Sequence, residues 1–323
     1  MENTINVLIS SAGRRGSLVT EFQEAAHRRG GKVFATDING LAPALFMADA
    51  AIRVPPVTDG EFIGRLLDIV EENRISLVVP TIDLELSMLA DALALFEAKG
   101  TQVAVSQPGL VEILGDKLAT TKFLLERGVV APQTWLPEDL PSVLPQRVFV
   151  KPRFGSASKG AIAAEASLLE SVLSVTSDPV IQEELIGPEI TIDALFDFGG
   201  TPIHFVPRRR LLTLGGESIQ SVTLPFGDLA DFLVPLMEVL GAAGARGPMT
   251  LQAFLTEKGP VVTDINPRFG GGAPLAFAAG GHYPEWLLRM TEGEVVKPCI
   301  GEYESGLFMT RVFEEIITRK SHW

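Results

Sequence analysis

The alternation of short apolar strands with amphipathic helices over residues 5–105 most constrains the fold of this chain. The pattern predicts, in chain order, strands at 5–10, 32–36, 77–80 and 102–105, with helices at 17–29, 58–73 and 85–98. Such an alternation is typical of a parallel, doubly wound sheet with helices on its faces. Because ligands of these sheets bind at the carboxyl ends of the strands, the loops that follow the strands are candidate binding residues.

Charged side chains follow two of these predicted strands. Arg14 and Arg15 come after the first strand, and Asp83 and Glu85 come after the third. Arginine can bind a carboxylate or a phosphate, and the acids can bind an amine, so we expect the substrate to be recognised at this edge. The alternative is that the two arginines only form ion pairs with Asp83 or Glu85 across the edge of the sheet.

The first loop also mimics part of a dinucleotide-binding site. Gly13 and Gly16 lie in that loop, and Asp37 follows the second strand where a ribose-binding acid would stand. The complete G-x-G-x-x-G fingerprint is absent. An NAD(P)-dependent oxidoreductase that uses the N-terminal loop is therefore an alternative interpretation of this region.

The stretch with the most chemistry is residues 261–272. Its strand must stop before Pro267, and Asp264 and Asn266 point to one face because they are two residues apart. A carboxylate and an amide oxygen are ligands that suit Mg²⁺. Gln252 lies on the preceding apolar run, so a hairpin would bring it across the ladder as a third oxygen donor. A common strand-to-turn signal without metal is the alternative.

Further cations precede glycine-rich or flexible segments. Arg268 is followed by three glycines that leave the backbone open to a ligand. Lys117 begins a helix that Asp116 can cap, and Lys151 ends a strand. The glycine- and serine-rich loop 153–160 after Lys151 either covers phosphates or is a plain mobile hairpin.

Composition excludes several classes of protein. A net charge of −13 argues against a nucleic-acid binder. No uncharged stretch of about 20 residues is present, so we expect no membrane partner. The acidic, polar start does not resemble a signal peptide, and the single Cys299 permits no internal disulfide, so we expect a reducing, cytoplasmic location.

Taken in their order, these motifs resemble those of the ATP-grasp ligases, in particular the single-module relatives of the carbamoyl-phosphate synthase large subunit. The resemblance covers nearly the whole chain. It implies an α/β part followed by α+β parts: a parallel, Rossmann-like pre-ATP-grasp domain at 1–112, a small ATP-grasp subdomain with its linker helix at 113–185, and a C-terminal subdomain with the metal site at 186–323.

The resemblance also implies roles for individual residues. Those assigned to ATP are Lys117, Lys151, Gly155, Ser156, Ser158, Gly160, Gln182, Glu183, Glu184, Leu185 and Glu189. Within this set the loop 155–160 covers the phosphates, residues 182–185 contact the adenine edge and Glu189 binds the ribose. Gln252, Asp264 and Asn266 match the family's metal ligands, for Mg²⁺ or Mn²⁺.

The arginines complete the implied site. Arg210 is similar to the arginine that stabilises the transferred phosphoryl group, although Arg208 competes for that role, and Arg268 matches the arginine of the family's Asn-Pro-Arg motif. Asp264 stands where the family usually has Glu, which leaves open whether one or two ions are held.

The implied reaction joins a small-molecule carboxylate to an amine, or to a thiol, through an acyl phosphate at the expense of ATP. The expected partners are these small molecules and a second copy of the chain in a homodimer. No second ATP-grasp module or glutaminase-type domain is present, so the resemblance does not extend to complete carbamoyl-phosphate synthesis. A catalytically silent ATP-binding module is a further alternative.

Overall fold

The computed structural model describes residues 4–155, 160–319 and 321–322, which form three β-sheets with helices packed around them. Elements are numbered in chain order. The first sheet is parallel, and the other two are antiparallel. The predicted class, an α/β part followed by α+β parts, is confirmed.

The first sheet has the strand order β3-β2-β1-β4-β5. Its strands are β1 Asn6–Ser10, β2 Val33–Asp37, β3 Ala50–Arg53, β4 Ile75–Pro80 and β5 Gln102–Val103. Its helices are α1 Gly16–His27, α2 Pro43–Met47, α3 Phe62–Asn73, α4 Leu86–Asp91 and α5 Leu93–Glu97, with a 3₁₀ turn at Asp83–Glu85. Strand β3 was not predicted, and the single helix predicted at 85–98 is in fact divided.

The middle strands of this sheet are buried on both faces. Val7, Leu8 and Ile9 of β1 are fully buried, as expected for a parallel strand covered by helices on each side. Burial of this core fixes the carboxyl ends of β1 and β4 next to each other, with Ser10 paired to Pro80. The loops that carry Arg15 and Asp83 therefore leave the sheet at one edge.

Two helices, α6 Pro108–Gly115 and α7 Lys117–Glu126, link the first sheet to the second. As predicted, Asp116 caps α7: its carboxylate accepts from the backbone N–H groups of Leu118 and Ala119. Gly128 follows the helix with a positive φ of 74°, a conformation that glycine adopts without strain.

The second sheet has four strands in the order β6-β9-β7-β8. They are β6 Thr134–Trp135, β7 Arg147–Pro152, β8 Ile162–Glu165 and β9 Pro179–Glu183, accompanied by α8 Leu169–Leu173 and by 3₁₀ turns at Pro137–Asp139 and Ala166–Leu168. A small core that includes Val148, Val150 and Ile181 holds this sheet against α8.

The third sheet has six strands in the order β14-β13-β10-β11-β12-β15. They are β10 Glu189–Phe196, β11 Pro202–Leu214, β12 Glu217–Thr223, β13 Gly247–Thr256, β14 Gly259–Asn266 and β15 Phe308–Thr310; the helices are α9 Ala230–Ala242, α10 Ala273–Ala278 and α11 Tyr283–Thr291. Strand β11 carries three consecutive arginines, 208–210, and continues beyond them to Leu214.

Contacts between α1 and the C-terminal part fix the third sheet against the first. Arg29 forms ion pairs with Glu285 at 2.7 Å and with Glu292 at 2.9 Å. Phe22 packs edge-on against Phe269, which follows β14. These contacts place the loop after β14 over the carboxyl edge of the first sheet.

Within the described part of the chain, no helix has both the length and the apolar character needed to span a membrane.

Candidate functional site

The predicted metal ligands lie on two neighbouring strands. As predicted, β13 and β14 are antiparallel, and Gln252 stands directly opposite Asp264. Asn266 donates from Nδ2 to Oδ2 of Asp264 at 3.2 Å, which leaves the Asn266 amide oxygen available. The structure therefore brings one carboxylate and two amide groups to one place at the end of the hairpin.

This donor set can be tested against Mg²⁺. Among residues 4–155, 160–319 and 321–322, no group of three or more His, Cys, Asp or Glu side chains could hold a metal. A Mg²⁺ ion that accompanies a nucleotide, however, is commonly held by one or two carboxylates and by the phosphates themselves. Asp264 with the oxygens of Asn266 and Gln252 fits an ion of that kind.

Two lysines approach Asp264 from the other side. Lys151 of β7 is 7% exposed, and its Nζ donates to the carbonyl oxygen of Thr263 at 3.3 Å. Burial lowers the pKa of Lys151 to about 8, although the negative charge of Asp264 opposes this shift. Lys117 donates to the carbonyl oxygen of Gly155 at 2.7 Å, and burial lowers its pKa too, again against the charge of Asp264. The second and third sheets thus meet at a lysine-carboxylate cluster.

Several of the remaining residues predicted for ATP already have protein partners. Gln182 is buried and donates to Thr134 Oγ1 at 2.9 Å. Glu183 accepts from the backbone N–H of Gln133 at 3.1 Å, and Glu184 forms an ion pair with Arg147.

The other members of the predicted ATP set differ in setting. Leu185 is half-buried in the loop after β9, and Glu189 begins β10. Gly155 and Gly160 are exposed, with positive φ values of 101° and 74°. Ser156 and Ser158 lie outside the described residues.

The two competing arginines of β11 differ in their surroundings. Arg208 is enclosed with Asp193, at 2.7 Å from Nε to Oδ2, and both side chains are 3% exposed. It also donates to Ser221 at 3.2 Å. Arg210 forms an ion pair with Glu189 and donates to Gly216 O, yet its buried Nε has no partner among the described residues. A buried donor without an acceptor costs about 1–3 kcal/mol, so an oxygen ligand that accepts from Arg210 Nε would remove this cost.

The three glycines 270–272 of the loop after β14 pack closely against neighbouring polar groups because they have no side chains. A Cβ on Gly272 would come within 2.4 Å of Arg208 Nη2, and one on Gly270 within 2.8 Å of Thr250 Oγ1. Arg268 of the same loop donates to Asp83 at 2.9 Å and, like Arg210, retains a buried Nε for which the described residues provide no acceptor.

These residues surround one cavity of about 210 Å³. Its lining consists of Arg15, Thr81, Ile82, Asp83, Thr191, Arg208, Arg210, Gly216, Glu217, Ser218, Thr250, Gln252, Asp264, Asn266, Arg268 and Gly270–Gly272. The predicted metal ligands, three arginines of the C-terminal part and two residues predicted to bind substrate thus share one enclosed space.

The four residues predicted to bind substrate have different environments. Arg15 lines the cavity, where burial and then the positive charge of Arg268 lower its pKa to about 10. Arg14 is 73% exposed and pairs with Glu217 at 3.2 Å. Asp83 pairs with Arg268. Neither arginine therefore forms an ion pair with Asp83 or Glu85 at the sheet edge, which was the alternative expectation.

Glu85 does not line the cavity. It is fully buried and accepts hydrogen bonds from Ser10 Oγ at 2.6 Å, Ser11 Oγ at 2.9 Å and Thr81 N at 2.8 Å. Burial raises the pKa of Glu85 despite these hydrogen bonds. Its carboxylate ties the ends of β1 and β4 together and so fixes the edge on which Arg15 and Asp83 stand.

The acid of the alternative dinucleotide site is also engaged. Asp37 accepts from the backbone N–H of Gly13 at 2.8 Å and from that of Asn39 at 2.8 Å, so both carboxylate oxygens hold loops. Its side chain supports the loop that leads to Arg15. This geometry does not favour a ribose-binding role.

Sequence reasoning missed the ion pair between Glu217 and Arg311. Glu217 begins β12 and lines the cavity, and Arg311 follows β15 and donates to Glu217 at 2.8 Å. Their separation of 94 residues gives no local signal. The short apolar run before Arg311 could have indicated only a strand.

Comparison with known proteins adds to this geometry. Residues 7–104 match the family described as the PylC-like N-terminal domain, and residues 176–313 match the family described as ATP-grasp in the biosynthetic pathway with Ter operon. The C-terminal part of the chain is thus similar to ATP-grasp proteins. The predicted resemblance to the ATP-grasp family is thus confirmed.

Individual relatives agree with this assignment. The chain is 26% identical over 279 residues to the formate-dependent phosphoribosylglycinamide formyltransferase of Synechococcus sp. (strain RCC307). The aligned region covers 78% of this chain and 67% of that protein. Two solved structures show the same fold.

One is the biotin carboxylase domain of Hydrogenobacter thermophilus 2-oxoglutarate carboxylase, in complex with MgADP, ADP and bicarbonate, with a TM-score of 0.76, 17% identity, and coverage of 94% of this chain and 73% of that chain. The other is N5-carboxyaminoimidazole synthetase of Staphylococcus aureus, with a TM-score of 0.72, 14% identity, and coverage of 94% and 81%.

Proposed function

We propose that this protein activates a small-molecule carboxylate as an acyl phosphate and transfers the acyl group to an amine or a thiol. One observation carries the proposal. Asp264, which interacts electrostatically with Lys117 and Lys151, lines one cavity together with Arg15 and Arg268. A nucleotide phosphate beside the lysines and a substrate anion beside Arg15 can therefore be held next to each other.

The nucleotide lies between the second and third sheets in this proposal. Lys151 and Lys117 contact its phosphates, residues 155–160 cover them, and residues 182–185 contact the adenine edge. Glu189, now paired with Arg210, binds the ribose. Desolvated lysines interact strongly with phosphate because few waters compete for the ammonium group. The buried Lys151 fits that role.

Asp264, with Asn266 and Gln252, would hold the metal. When bound, Mg²⁺ neutralises phosphate oxygens and aligns them for transfer. The chain's own part is to place a single negative charge next to two amide groups, so that the nucleotide supplies the other ligands. The positive charges of Lys117 and Lys151 partly offset the negative charge of Asp264.

The first chemical step is phosphoryl transfer to the acid. A carboxylate oxygen attacks the γ-phosphorus of ATP, the bond to the bridging oxygen breaks, and ADP leaves. Arg210 and Arg268 donate to the oxygens on which negative charge develops, an effect that can amount to about 10³-fold or more for one arginine. The amine or thiol then attacks the carbonyl carbon, loses its proton, and inorganic phosphate departs.

The acceptor acid occupies the cavity beside the first sheet. Arg15 supplies a cation at that position, and Asp83 holds Arg268 in place at 2.9 Å. Arg14 and Glu85 lie farther from the acid. Arg14 stands at the exposed rim, and Glu85 ties the ends of β1 and β4 together.

The three units 1–112, 113–185 and 186–323 are part of the same proposal, because each corresponds to one side of the site. A reducing, cytoplasmic location is supported by the single Cys299. A homodimer is suggested by the dimer named for the biotin carboxylase domain.

The test is ADP release with panels of amino acids and dicarboxylic acids, each paired with an amine. We expect ADP only when a suitable acid is present, and a loss of at least about 10³-fold in Asp264→Asn, which removes charge at nearly constant volume. Asp228→Asn changes an exposed carboxylate and serves as the control. ADP release that persists in Asp264→Asn would refute the metal assignment, and MgATP binding without ADP release for any acid would favour a silent module.

A further inference from the structure

One carboxylate stands at the meeting point of three arginines. Glu217 accepts from Arg311 Nη1 at 2.8 Å and from Arg14 Nη2 at 3.2 Å. Arg15 reaches the same point, because a Cβ on Gly271 would lie 3.3 Å from Arg15 Nη1 and 3.4 Å from Glu217 Oε2. We call these four residues, Arg14, Arg15, Glu217 and Arg311, the mouth of the cavity.

The mouth carries more positive than negative charge. Three guanidinium groups surround a single carboxylate, and the nearby Arg268 is already matched by Asp83. Arg15 forms no hydrogen bond or ion pair through its side chain with any residue in the described ranges, and it is the arginine of the mouth that lines the cavity. An excess of cations at an enclosed surface favours an anionic ligand.

The carboxylate of Glu217 is placed so that it can move away from the arginines of the mouth. Its side chain is 40% exposed, so its carboxylate can turn into water without crossing the core. It directly follows Gly215 and Gly216, both with positive φ, at the turn between β11 and β12. Burial acts to raise the pKa of Glu217, but Arg311, Arg15 and Arg14 outweigh it and lower the pKa, so the carboxylate is ionised at neutral pH.

We propose that Glu217 is a resident counter-ion of the mouth, which an acceptor substrate displaces with a second anionic group, a phosphate or a carboxylate. The proposal rests on the proposed function, because it concerns the acid that this site activates. The carboxylate to be activated lies near Arg268 and the metal ligands, and the second anion lies among Arg15, Arg311 and Arg14. Acids with a neutral far end leave Glu217 in place and bind more weakly.

The experiment measures anion binding to the full chain in the presence of Mg²⁺ and a non-hydrolysable ATP analogue. The probes are inorganic phosphate, succinate and its monomethyl ester, with one negative charge fewer than succinate. Glu217→Gln keeps the size of the side chain and one of its two oxygens but removes the competing negative charge. We expect it to bind phosphate and succinate roughly 3- to 10-fold more tightly, on the scale of one or two partly exposed ion pairs.

The controls separate this effect from a general change in charge. Binding of the monomethyl ester should change by less than about twofold in Glu217→Gln. Glu294→Gln breaks the exposed Arg289–Glu294 pair, which is not part of the cavity, and should match the unmodified protein. The stronger of the phosphate and succinate responses identifies the chemistry of the second group.

A second variant keeps the test decisive if Glu217→Gln does not fold. Arg15→Gln should weaken phosphate and succinate about 10-fold, the scale of a charge-assisted contact. Unchanged or weaker anion binding in a folded Glu217→Gln, or unchanged binding in Arg15→Gln, overturns the proposal. Failure to bind the nucleotide analogue would instead refute the proposed function, so the two failures are distinguishable.

Discussion

The charge of arginine is balanced differently at the mouth of the cavity and at a second cluster of residues. This second cluster consists of Asp193, Arg208, Ser221 and Thr250, and we call it the floor. There, Arg208 and Asp193 are each 3% exposed and 2.7 Å apart, and Ser221 and Thr250 complete the network. In the mouth, Arg14 and Arg311 pair with the partly exposed carboxylate of Glu217, and Arg15 has no ion pair of its own among the described residues. Fully matched charge shapes the wall of a site, whereas unmatched charge is available to a ligand.

The floor should carry stability. Asp193→Ala would leave Arg208 buried without its counter-ion, which costs about 3–5 kcal/mol in the free energy of unfolding. Chemical denaturation measures this, with the exposed Asp228→Ala as a control expected within about 0.5 kcal/mol of the unmodified protein. A loss below about 1 kcal/mol in Asp193→Ala would contradict the role of the floor.

Lys151 combines features of both regions. It is buried like the floor, and, like Arg15, it has no carboxylate at hydrogen-bonding distance among the described residues. Lys151→Ala should weaken MgATP binding by about 1–3 kcal/mol, while Lys122→Ala, an exposed lysine on α7, should leave it unchanged. Titration calorimetry distinguishes the two. Equal affinities would remove Lys151 from the nucleotide site.

The pKa of Lys151 gives this residue a pH signature. Burial lowers its pKa to about 8, below that of an unfolded lysine at about 10.4, so the unfolded chain binds the extra proton between these values. The free energy of unfolding should therefore increase as the pH rises from about 8 to about 10.4. The Kd for MgATP should increase about tenfold per pH unit above about 8. Both dependences should vanish in Lys151→Met. Identical pH profiles for the two proteins would contradict the assignment.

Arg15 tests the mouth. Arg15→Ala should raise the KM for the acceptor about 10-fold, the loss of one charge-assisted contact, with MgATP affinity unchanged. Its free energy of unfolding should not fall by more than about 0.5 kcal/mol, because the Arg15 side chain makes no hydrogen bond within the described ranges. If Arg15→Ala instead destabilised the fold as Asp193→Ala does, the distinction between floor and mouth would fail.

The smallest effect on stability and on the acceptor KM is expected for Arg14, at the exposed rim of the mouth. Arg14 is 73% exposed, and its pair with Glu217 is screened by solvent. Arg14→Ala should alter stability by less than about 0.5 kcal/mol and should raise the acceptor KM only at low salt, because exposed charges are screened within about 10 Å at 0.1 M ionic strength. A KM effect that is independent of salt would place Arg14 inside the site.

Local periodicity made much of the fold predictable. Four of the five strands of the first sheet follow from apolar patterning, and the β13–β14 hairpin follows from a tight turn that places Gln252 opposite Asp264. The helix cap at Asp116 was equally local. Predictions of this kind depend on residues within a few positions of one another.

The parts that could not be predicted depend on distant contacts. Asp83 and Arg268 are 185 residues apart, and Arg311 and Glu217 are 94 apart. The sequence showed that Glu85 follows a strand, but only the packed sheet reveals that its carboxylate turns inward to Ser10 and Ser11. Whether a charged side chain is matched or free is decided by tertiary structure.

The central claim, that the cavity activates a carboxylate, is tested most directly by trapping the acyl phosphate with hydroxylamine. Hydroxylamine replaces the amine and converts an acyl phosphate into a stable hydroxamate, which is quantified together with ADP. The account predicts hydroxamate and ADP in equal amounts with a suitable acid and MgATP, and neither product in Asp264→Asn. ADP formed without hydroxamate, or at the same rate without acid, would contradict it.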